Sequence, residues 1–317
     1  MVQKWRKLDV LRSQKEIDMI NTIKHKKITF IFSGTLFVAS LVILAIFGLK
    51  PGIDFTGGSL IEVSFSENRP ELSQMTLTAE KYNVGSVINQ PVDTDGFVIK
   101  TKFLTEDEHQ QILNVLRSDY QTDTNKVFEE RIEVIGPAIS SQLRNRSISA
   151  GIAVVIAIIL YVAYAFRKVS KEVQSWKYGL TAIIALVHDV VITMAVFSLL
   201  GHFKGVEIDI PFVVALLTIL GYSVNDTIVV FDRIRENVMK KTSKTFEEMV
   251  NQGVQDSFTR SINTSLTTLI VLVALFLFGG DSIHYFSLAL IIGIIAGTYS
   301  SIFLASPLLV VWKNLKK

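Results

Sequence analysis

Long apolar runs dominate the hydropathy pattern of this chain, and each is long enough to cross a lipid bilayer. A run of about 20 mostly apolar residues predicts a transmembrane α-helix, because the hydrocarbon core is about 30 Å thick. Six such runs lie at 28–49, 148–166, 178–201, 210–231, 264–279 and 283–312. The short gap at 279–282 predicts a tight hairpin between the last two. The pattern therefore predicts a polytopic α-helical membrane protein with six transmembrane helices.

Basic residues beside these spans predict the orientation, because short loops rich in Lys and Arg stay in the cytoplasm. Four segments on one side of a six-span arrangement carry them: 1–27, the loops after the second and fourth spans, and 313–317. The residues are Lys4, Arg6, Lys7, Lys24, Lys26, Lys27, Arg167, Lys168, Lys171, Lys177, Arg233, Arg235, Lys240, Lys241, Lys244, Lys313, Lys316 and Lys317. On the opposite side, the short loop 202–209 and the turn 279–282 offer only Lys204. Both termini are therefore predicted to be cytoplasmic.

The polar segment 50–147 lies between the first two spans, so this orientation places it outside the cytoplasm. Alternating apolar and polar residues predict half-buried strands, and Thr105 with Glu108 matches a helix-capping box. Strands are predicted at 60–66, 84–90, 96–103 and 126–135, with helices at 70–82 and from Thr105. The order β-α-β-β-α-β predicts a ferredoxin-like α+β domain.

A second polar segment, 243–258, follows the fourth span on the predicted cytoplasmic side. Thr245 and Glu248 match a capping box at its start. Apolar side chains then recur along one face at helical spacing: Phe246, Met249, Val250, Val254 and Phe258. This pattern predicts an amphipathic helix that lies on the membrane surface or docks onto a cytoplasmic partner.

Composition excludes several kinds of chemistry. Hydrophobic residues make up 49% of the chain and charged residues 19%, which fits a membrane protein with one polar domain. The chain has no cysteine, so it has no disulfide, thiolate metal site or cysteine nucleophile. Its net charge of +3 reflects loops that face anionic lipid, and nucleic acid is not an expected partner. The glycine-rich loop 51–59 does not open a predicted helix, so we interpret it as a structural hinge and expect no ATP hydrolysis.

Two acidic residues stand out, because Asp189 and Asp226 lie inside the third and fourth predicted spans. An ionised carboxylate at the bilayer centre costs about 3 kcal/mol on the insertion scale. Such residues usually belong to a proton or ion pathway. The sequence therefore predicts a proton or ion pathway that includes these two aspartates.

Asp226 lies in a polar environment at a depth near the cytoplasmic side. Asn225 and Thr227 flank it, and Arg260 enters the fifth span at a similar predicted depth. Arg260 is the candidate ion-pair partner, although it also fits an anchor at the lipid headgroups. Hydroxyl and amide side chains follow Arg260 and offer a solvated path: Asn263, Thr264, Ser265, Thr267 and Thr268.

Two pairs of adjacent residues in these spans each allow two interpretations. His188 precedes Asp189, and imidazole titrates near neutral pH, so the pair suits a proton relay. Adjacent helical residues point about 100° apart, however, so the two side chains are expected to serve different faces. A buried hydrogen-bonding role for Asp189 is an equal alternative. Asp232 and Arg233 are interpreted first as an interfacial ion pair and second as part of the pathway.

These segments occur in an order that resembles the SecF family, whose members are the smaller of the paired SecD and SecF subunits of bacterial protein export. The resemblance covers nearly the whole chain. It rests on Gly-Ile-Asp-Phe-Thr-Gly-Gly at 52–58, Val-Ile-Gly-Pro at 134–137, His188-Asp189-Val190, the segment 221–237 and Asn-Thr-Ser-Leu-Thr-Thr at 263–268.

The resemblance implies a function and a set of partners. SecF-like chains pair with a SecD chain in an architecture of the RND superfamily, and the complex associates with the SecYEG channel. It is expected to use the proton-motive force to draw the preprotein outward after SecA-driven threading, in the bacterial cytoplasmic membrane. Asp226 and Arg260 match the proton-path positions, and Asp189 joins them or supports the fold. No enzymatic activity and no cofactor are expected, apart from the proton, or in some relatives sodium, as the coupling ion.

Two other classes of protein are compatible with paired membrane aspartates. An RND-type proton-coupled exporter of small molecules is the stronger alternative, although the segment 50–147 is small for a ligand pocket. An intramembrane aspartyl protease also needs two membrane aspartates, but the contexts His-Asp and Asn-Asp differ from the Tyr-Asp and Gly-x-Gly-Asp motifs of those enzymes.

Overall fold

The computed structural model describes residues 22–67, 69–82, 87–92, 94–166 and 174–314. Contacts divide the chain into a membrane unit and a polar unit, Pro51–Ser149. Several basic residues used to predict orientation lie outside the described residues: Lys4, Arg6, Lys7, Arg167, Lys168, Lys171, Lys316 and Lys317.

Within the described residues, six helical segments are long and apolar enough to cross a membrane, as the hydropathy pattern predicted. They are α1 Lys26–Phe47, α5 Pro137–Ala165, α6 Ser175–Lys204, α7 Ile210–Lys240, α8 Phe246–Phe278, and the pair α9 Asp281–Ser300 and α10 Ser306–Asn314. Few residues of α1 and α5 are buried within the chain, whereas 67% of the apolar window in the sixth span is buried. The sixth span therefore forms the centre of the membrane unit.

Two helices extend beyond the apolar runs that predicted them. α5 begins at Pro137 rather than at 148, because no proline or glycine lies between these positions and proline suits the first helical position. The predicted cytoplasmic helix 243–258 and the fifth span are one continuous helix, α8, since no proline interrupts them. The capping box of Thr245 and Glu248 is confirmed at the start of α8.

The sixth span contains an irregularity that the sequence analysis missed. A π-helical segment, Ser301–Ala305, separates α9 from α10. Pro307 follows closely and has no N–H to donate to the preceding turn. The Ser306 hydroxyl donates to the Ser301 carbonyl over 2.9 Å and so satisfies one of the displaced backbone acceptors. Segments of this kind occur frequently at functional sites.

Two glycines hold α9 close to α7. A Cβ atom added at Gly297 would lie 2.9 Å from the Cβ of Ser223, and one added at Gly293 would overlap the side chain of Ile219. The glycines are four residues apart and thus share one helical face. Small residues at this spacing let membrane helices approach closely. The sequence therefore fixes the register between α7 and α9 at this point.

The polar unit confirms the predicted ferredoxin-like arrangement. Its elements are α2 Ile53–Thr56, β1 Gly58–Phe65, α3 Leu72–Ala79, β2 Ile88–Val92, β3 Gly96–Thr101, α4 Glu106–Tyr120 and β4 Val127–Ile135. The strands form one antiparallel sheet in the order β2-β3-β1-β4. The predicted strand 84–90 overlaps β2, and residues 83–86 lie outside the described part of the chain.

Apolar side chains at alternating positions of the strands form the core of the polar unit. Ile61, Val63 and Phe65 of β1 are buried, together with residues of α4. The predicted capping box of Thr105 and Glu108 is present at the start of α4. The buried face is thus covered by helices, as the period-2 pattern requires.

The glycine-rich loop contains a short helix as well as turns. α2 lies between Gly52 and Gly57, and β1 begins at Gly58 with φ +135°. A Cβ atom at Gly58 would lie 2.6 Å from the carbonyl oxygen of Thr101 on β3. Glycine is therefore needed where β1 enters the sheet, both for the backbone angle and for the space.

Candidate functional site

Asp189 lies on α6 at the centre of a buried hydrogen-bond cluster. Its side chain is fully buried. The hydroxyl groups of Ser223 on α7 and Ser300 on α9 donate to Oδ2 over 2.6 and 2.7 Å. His188 Nδ1 lies 3.0 Å from Oδ1. Asp189 therefore ties together three of the six spans through its two oxygens.

The contact between His188 and Asp189 corrects the expectation that the two side chains serve different faces. The imidazole turns along the helix surface far enough to reach the neighbouring carboxyl group. Its ring stacks near Phe37 of α1 and Tyr299 of α9, with centroid distances of 6.2 and 6.4 Å. The Tyr299 hydroxyl is 2.9 Å from that of Ser33 on α1. The aromatic contacts thus extend the cluster to the first span.

The opposite imidazole nitrogen of His188 has a different environment. Nε2 is buried and has no hydrogen-bond partner among the described residues. A buried imidazole nitrogen without a partner carries a desolvation cost. His188 therefore uses one ring nitrogen in its contact with Asp189, and the other has no partner among the described residues.

Asp226 lies one helical turn beyond Ser223 on α7, and only 7% of it is exposed. The Ser301 hydroxyl, at the start of the π segment, donates to its Oδ2. The Ser261 hydroxyl on α8 interacts electrostatically with the carboxyl group but does not meet hydrogen-bond geometry with any described group. Two serine hydroxyls, from the sixth span and from α8, therefore lie at the carboxyl group.

Arg260 is not brought within ion-pair distance of Asp226, which corrects the expected pairing. The ion pairs of the described residues do not include these two groups. Arg260 lies on an exposed face of α8, whereas the next residue, Ser261, is buried. Because one residue rotates the direction by about 100°, similar depth did not imply contact. A pathway role for Arg260 stays a prediction.

The polar residues that flank Asp226, and those that follow Arg260 in the sequence, are divided between exposed and buried positions. Asn225, Asn263 and Thr264 are exposed within this chain. Thr227 is buried, and its hydroxyl has no hydrogen-bond partner among the described residues. Of these four residues, only Thr227 therefore lies in the interior, next to Asp226 in the sequence.

The predicted pair of Asp232 and Arg233 is wrong. Asp232 lies 3.4 Å from Arg235, while Arg233 lies 2.7 Å from Glu236. Residues three apart on a helix share a face, and adjacent residues do not. Asp232 is exposed. Its environment therefore differs from that of the two buried aspartates.

Ser300 and Ser301 are the site residues that the sequence analysis missed. A polar run, Thr298-Tyr299-Ser300-Ser301, interrupts the apolar sixth span and was the available signal. Serine in a membrane helix often bonds to its own backbone, so the run alone does not identify a site. Only the register of α9 against α6 and α7 brings these hydroxyls to the carboxylates.

Comparison with known proteins places this arrangement in a family. The protein-family model described as Protein export membrane protein SecD/SecF, C-terminal, matches residues 116–315. A second family model, the SecD/SecF GG Motif, matches residues 42–68. Protein translocase subunit SecF of Thermobaculum terrenum is 40% identical over 307 residues, which cover 93% of this chain and 95% of the relative. The chain belongs to the SecF family.

A second SecF relative and two solved structures agree with this assignment. Protein translocase subunit SecF of Anaerolinea thermophila is 36% identical over 93% of this chain and 95% of the relative. The crystal structure of SecDF, a translocon-associated membrane protein from Thermus thermophilus, matches 93% of this chain with a TM-score of 0.80 and 32% identity. SecDF in its super-membrane-facing form matches 94% of this chain with a TM-score of 0.67 and 32% identity.

The lengths of these relatives differ. This chain spans 39% of each SecDF chain but nearly the full length of the SecF relatives. Membership of the SecF family, together with the six apolar helices, identifies a multi-pass protein of the bacterial inner membrane. It is a transport component, as the name of its SecF relatives indicates.

Proposed function

We propose that this chain is the SecF-type accessory subunit of the Sec protein translocase and uses the proton-motive force, together with SecD, to promote late steps of preprotein export. The observation that carries the proposal is the buried carboxyl group of Asp226, which has a serine donor and no ion pair with a cation among the described residues. A carboxyl group in this position is costly when ionised and is readily neutralised by a proton.

The energy available from the membrane potential is sufficient to bias such a site. Moving one elementary charge through 100 mV supplies about 2.3 kcal/mol. A change of this size shifts a two-state equilibrium by roughly fiftyfold at 25 °C. Protonation of Asp226 would change its bond to Ser301 at the α9–π junction. We infer that the resulting movement of the sixth span is the first step of coupling.

The proton is the coupling ion that the site suits best. One carboxyl group and neighbouring hydroxyls can accept and release a proton without further ligands. Hard metal cations gather several oxygen ligands at once. We propose no other cofactor, and replacement of the proton by sodium is tested directly by imposing each gradient separately.

The remaining assignments follow from the family. A SecD subunit is the partner within the translocase, and we propose that SecYEG, SecA and an unfolded preprotein contact the assembly. Both termini are proposed to face the cytoplasm, which places the polar unit Pro51–Ser149 on the side where preprotein emerges. Arg260 is proposed to join the pathway from its exposed face of α8, and Asp189 to join it through its serine donors. No catalytic residue is proposed.

Export from membrane vesicles tests the proposal. Vesicles containing the full translocase carry either the original chain or Asp226→Asn, and preprotein movement is measured after ATP is removed and a proton gradient is imposed. Asp232→Asn is the matched control, because Asp232 is an exposed aspartate on the same helix. The proposal predicts loss of gradient-driven export in Asp226→Asn alone. Equal export by both variants would exclude Asp226 as the coupling site.

A further inference from the structure

We propose that Ser301 is a positioning residue for proton binding, because its single hydroxyl hydrogen can alternate between the Asp226 carboxylate and the Thr298 carbonyl. This inference rests on the proposed function, in which Asp226 takes up the proton. It adds a residue to that function, together with the hydrogen-bond rearrangement by which a buried carboxyl group remains satisfied in both of its forms.

Two acceptors lie within reach of the Ser301 hydroxyl. Oδ2 of Asp226 is one of them, and the backbone oxygen of Thr298, 3.1 Å away, is the other. A hydroxyl group has one hydrogen and two lone pairs, so it donates to one acceptor at a time and can accept a bond meanwhile. Ser301 is itself fully buried, and no water needs to enter for the hydrogen to change partner.

The hydrogen bonds balance in both protonation states. In the ionised form, Ser301 donates to Oδ2 of Asp226, which is a charge-assisted bond. When a proton binds Oδ2, the new carboxylic O–H donates to Ser301 Oγ, and the serine hydrogen turns to the Thr298 carbonyl. One O–H bond forms at Asp226, and the serine O–H bond only rotates. Neither form leaves this hydroxyl or Oδ2 without a partner.

Asp189, by contrast, is held by several hydrogen-bond partners at once. Ser300 also has a second acceptor, the Gly297 carbonyl at 3.1 Å, but Asp189 retains contacts with Ser223 and His188 as well. Among the described residues, Ser301 is the donor that meets hydrogen-bond geometry with Asp226, and the Ser261 hydroxyl lies nearby without meeting it. A change at Ser301 therefore alters a larger share of the hydrogen bonds at Asp226 than a change at Ser300 alters at Asp189.

The titratable groups on the helices packed around Asp226 have other contacts. His188 and Asp189 of α6 contact one another, and Tyr299 of α9 contacts Ser33. Arg260 of α8 lies on an exposed face and forms no ion pair with Asp226. Rotation of the Ser301 hydroxyl is therefore a hydrogen-bonding change that is available to Asp226 without any change in these other contacts.

Infrared titration of the chain paired with its SecD subunit in lipid vesicles tests the proposal. The Asp226 carboxylic acid band is defined as the band that Asp226→Asn removes, and its midpoint and frequency are followed against pH. Ser301→Ala should move the midpoint upward by about one pH unit, because it removes a bond that favours the charged form more than the neutral one. It should also shift the band frequency, since the acid loses its acceptor.

Two further variants make the result specific. Ser301→Cys keeps a similar volume and a weak donor, so it should move the midpoint in the same direction by a smaller amount. Ser287→Ala is the control, because Ser287 is equally buried in the sixth span and its hydroxyl has no partner among the described residues. It should leave midpoint and frequency unchanged. Ser301→Cys also serves as the test if Ser301→Ala fails to fold.

The outcomes separate the two proposals. An original chain with no Asp226-dependent band at any pH would overturn the proposed function and this inference with it. A band that titrates identically with and without the Ser301 hydroxyl would overturn the inference alone. A midpoint that moves equally in Ser301→Ala and Ser287→Ala would also overturn it, because the effect would then arise from general repacking.

Discussion

Ser300 and Ser301 are consecutive residues of the sixth span, yet their hydroxyl groups bond to two different buried aspartates. Ser300 lies 2.7 Å from Asp189 of α6, and Ser301 donates to Asp226 of α7. The π-helical segment begins at Ser301, so the two hydroxyls stand where the helix changes its hydrogen-bond pattern. One short backbone segment therefore contacts both carboxyl groups, and a rotation there would change both sets of bonds.

The Asp189 cluster is expected to contribute strongly to folding. Asp189→Ala removes the acceptor of two serine hydroxyls and the partner of His188, and leaves these groups buried. Unsatisfied buried donors cost about 1–3 kcal/mol each. Ser300 can turn to the Gly297 carbonyl, whereas Ser223 and His188 lose their partner. We therefore expect the variant to lose about 2–6 kcal/mol of unfolding free energy, measured by denaturant titration in detergent. Asp232→Ala should change it by about 0.5 kcal/mol or less, as for a typical surface substitution.

An equal effect of the two alanine substitutions would contradict this account of Asp189. Ser300→Ala gives a second check, because it removes one donor while leaving Ser223 and His188 in place. Its loss should be smaller than that of Asp189→Ala, at about 1 kcal/mol for a single hydrogen bond.

The close approach of α7 and α9 predicts opposite outcomes for two glycine substitutions. Gly293→Ala places a methyl group onto Ile219 and should destabilise the chain by about 1–3 kcal/mol, as overpacking does. Gly221→Ala lies in α7 with nothing within 4 Å of the new Cβ atom. It should be neutral or stabilise the helix by about 0.5–1 kcal/mol. Thermal unfolding of both variants in the same detergent compares them.

Loss of stability in Gly221→Ala, or none in Gly293→Ala, would show that this helix register is wrong. Gly297→Ala extends the comparison, because its Cβ atom would press on Ser223 beside Asp189. We therefore expect Gly297→Ala to alter the Asp189 cluster as well as the packing.

The polar unit gives a prediction that is independent of the membrane unit. Gly58→Ala combines an unfavourable backbone angle with a Cβ atom 2.6 Å from the Thr101 carbonyl oxygen. Strain of this kind costs of order 1–3 kcal/mol, before any clash is added. We expect faster proteolysis of the 51–149 unit in the intact, reconstituted chain. Gly151→Ala is the control, because its Cβ atom would meet nothing within 4 Å. Equal cleavage of the two variants would refute the role assigned to Gly58.

Local sequence patterns predicted most of the fold. Apolar runs gave the six spans, period-2 alternation gave the strands, and the capping boxes at Thr105 and Thr245 marked the correct helix starts. These features depend on residues close together in the chain. Helix bounds were less accurate, because helix extends into polar sequence wherever no residue breaks it, as at the start of α5.

The site was predicted only in part, because its contacts join distant residues. Asp189 and Asp226 could be identified from their cost in a lipid environment. Their partners Ser300 and Ser301 lie 111 and 75 residues away along the chain. Rotation of each helix by one residue decides such contacts, which is why Ser261 rather than Arg260 faces the interior. Sequence alone therefore predicts how deep a residue lies in the membrane better than it predicts which way its side chain points around the helix.

Proton conduction by the reconstituted SecD-paired chain is the direct measure of whether Asp226 carries the coupling proton. Vesicles enclosing a pH-sensitive dye receive a membrane potential, and acidification is compared for the original chain, Asp226→Asn and Asp232→Asn. If Asp226 carries the proton, only Asp226→Asn abolishes the potential-driven proton flux. Proton flux through Asp226→Asn at the rate of the original chain would contradict it.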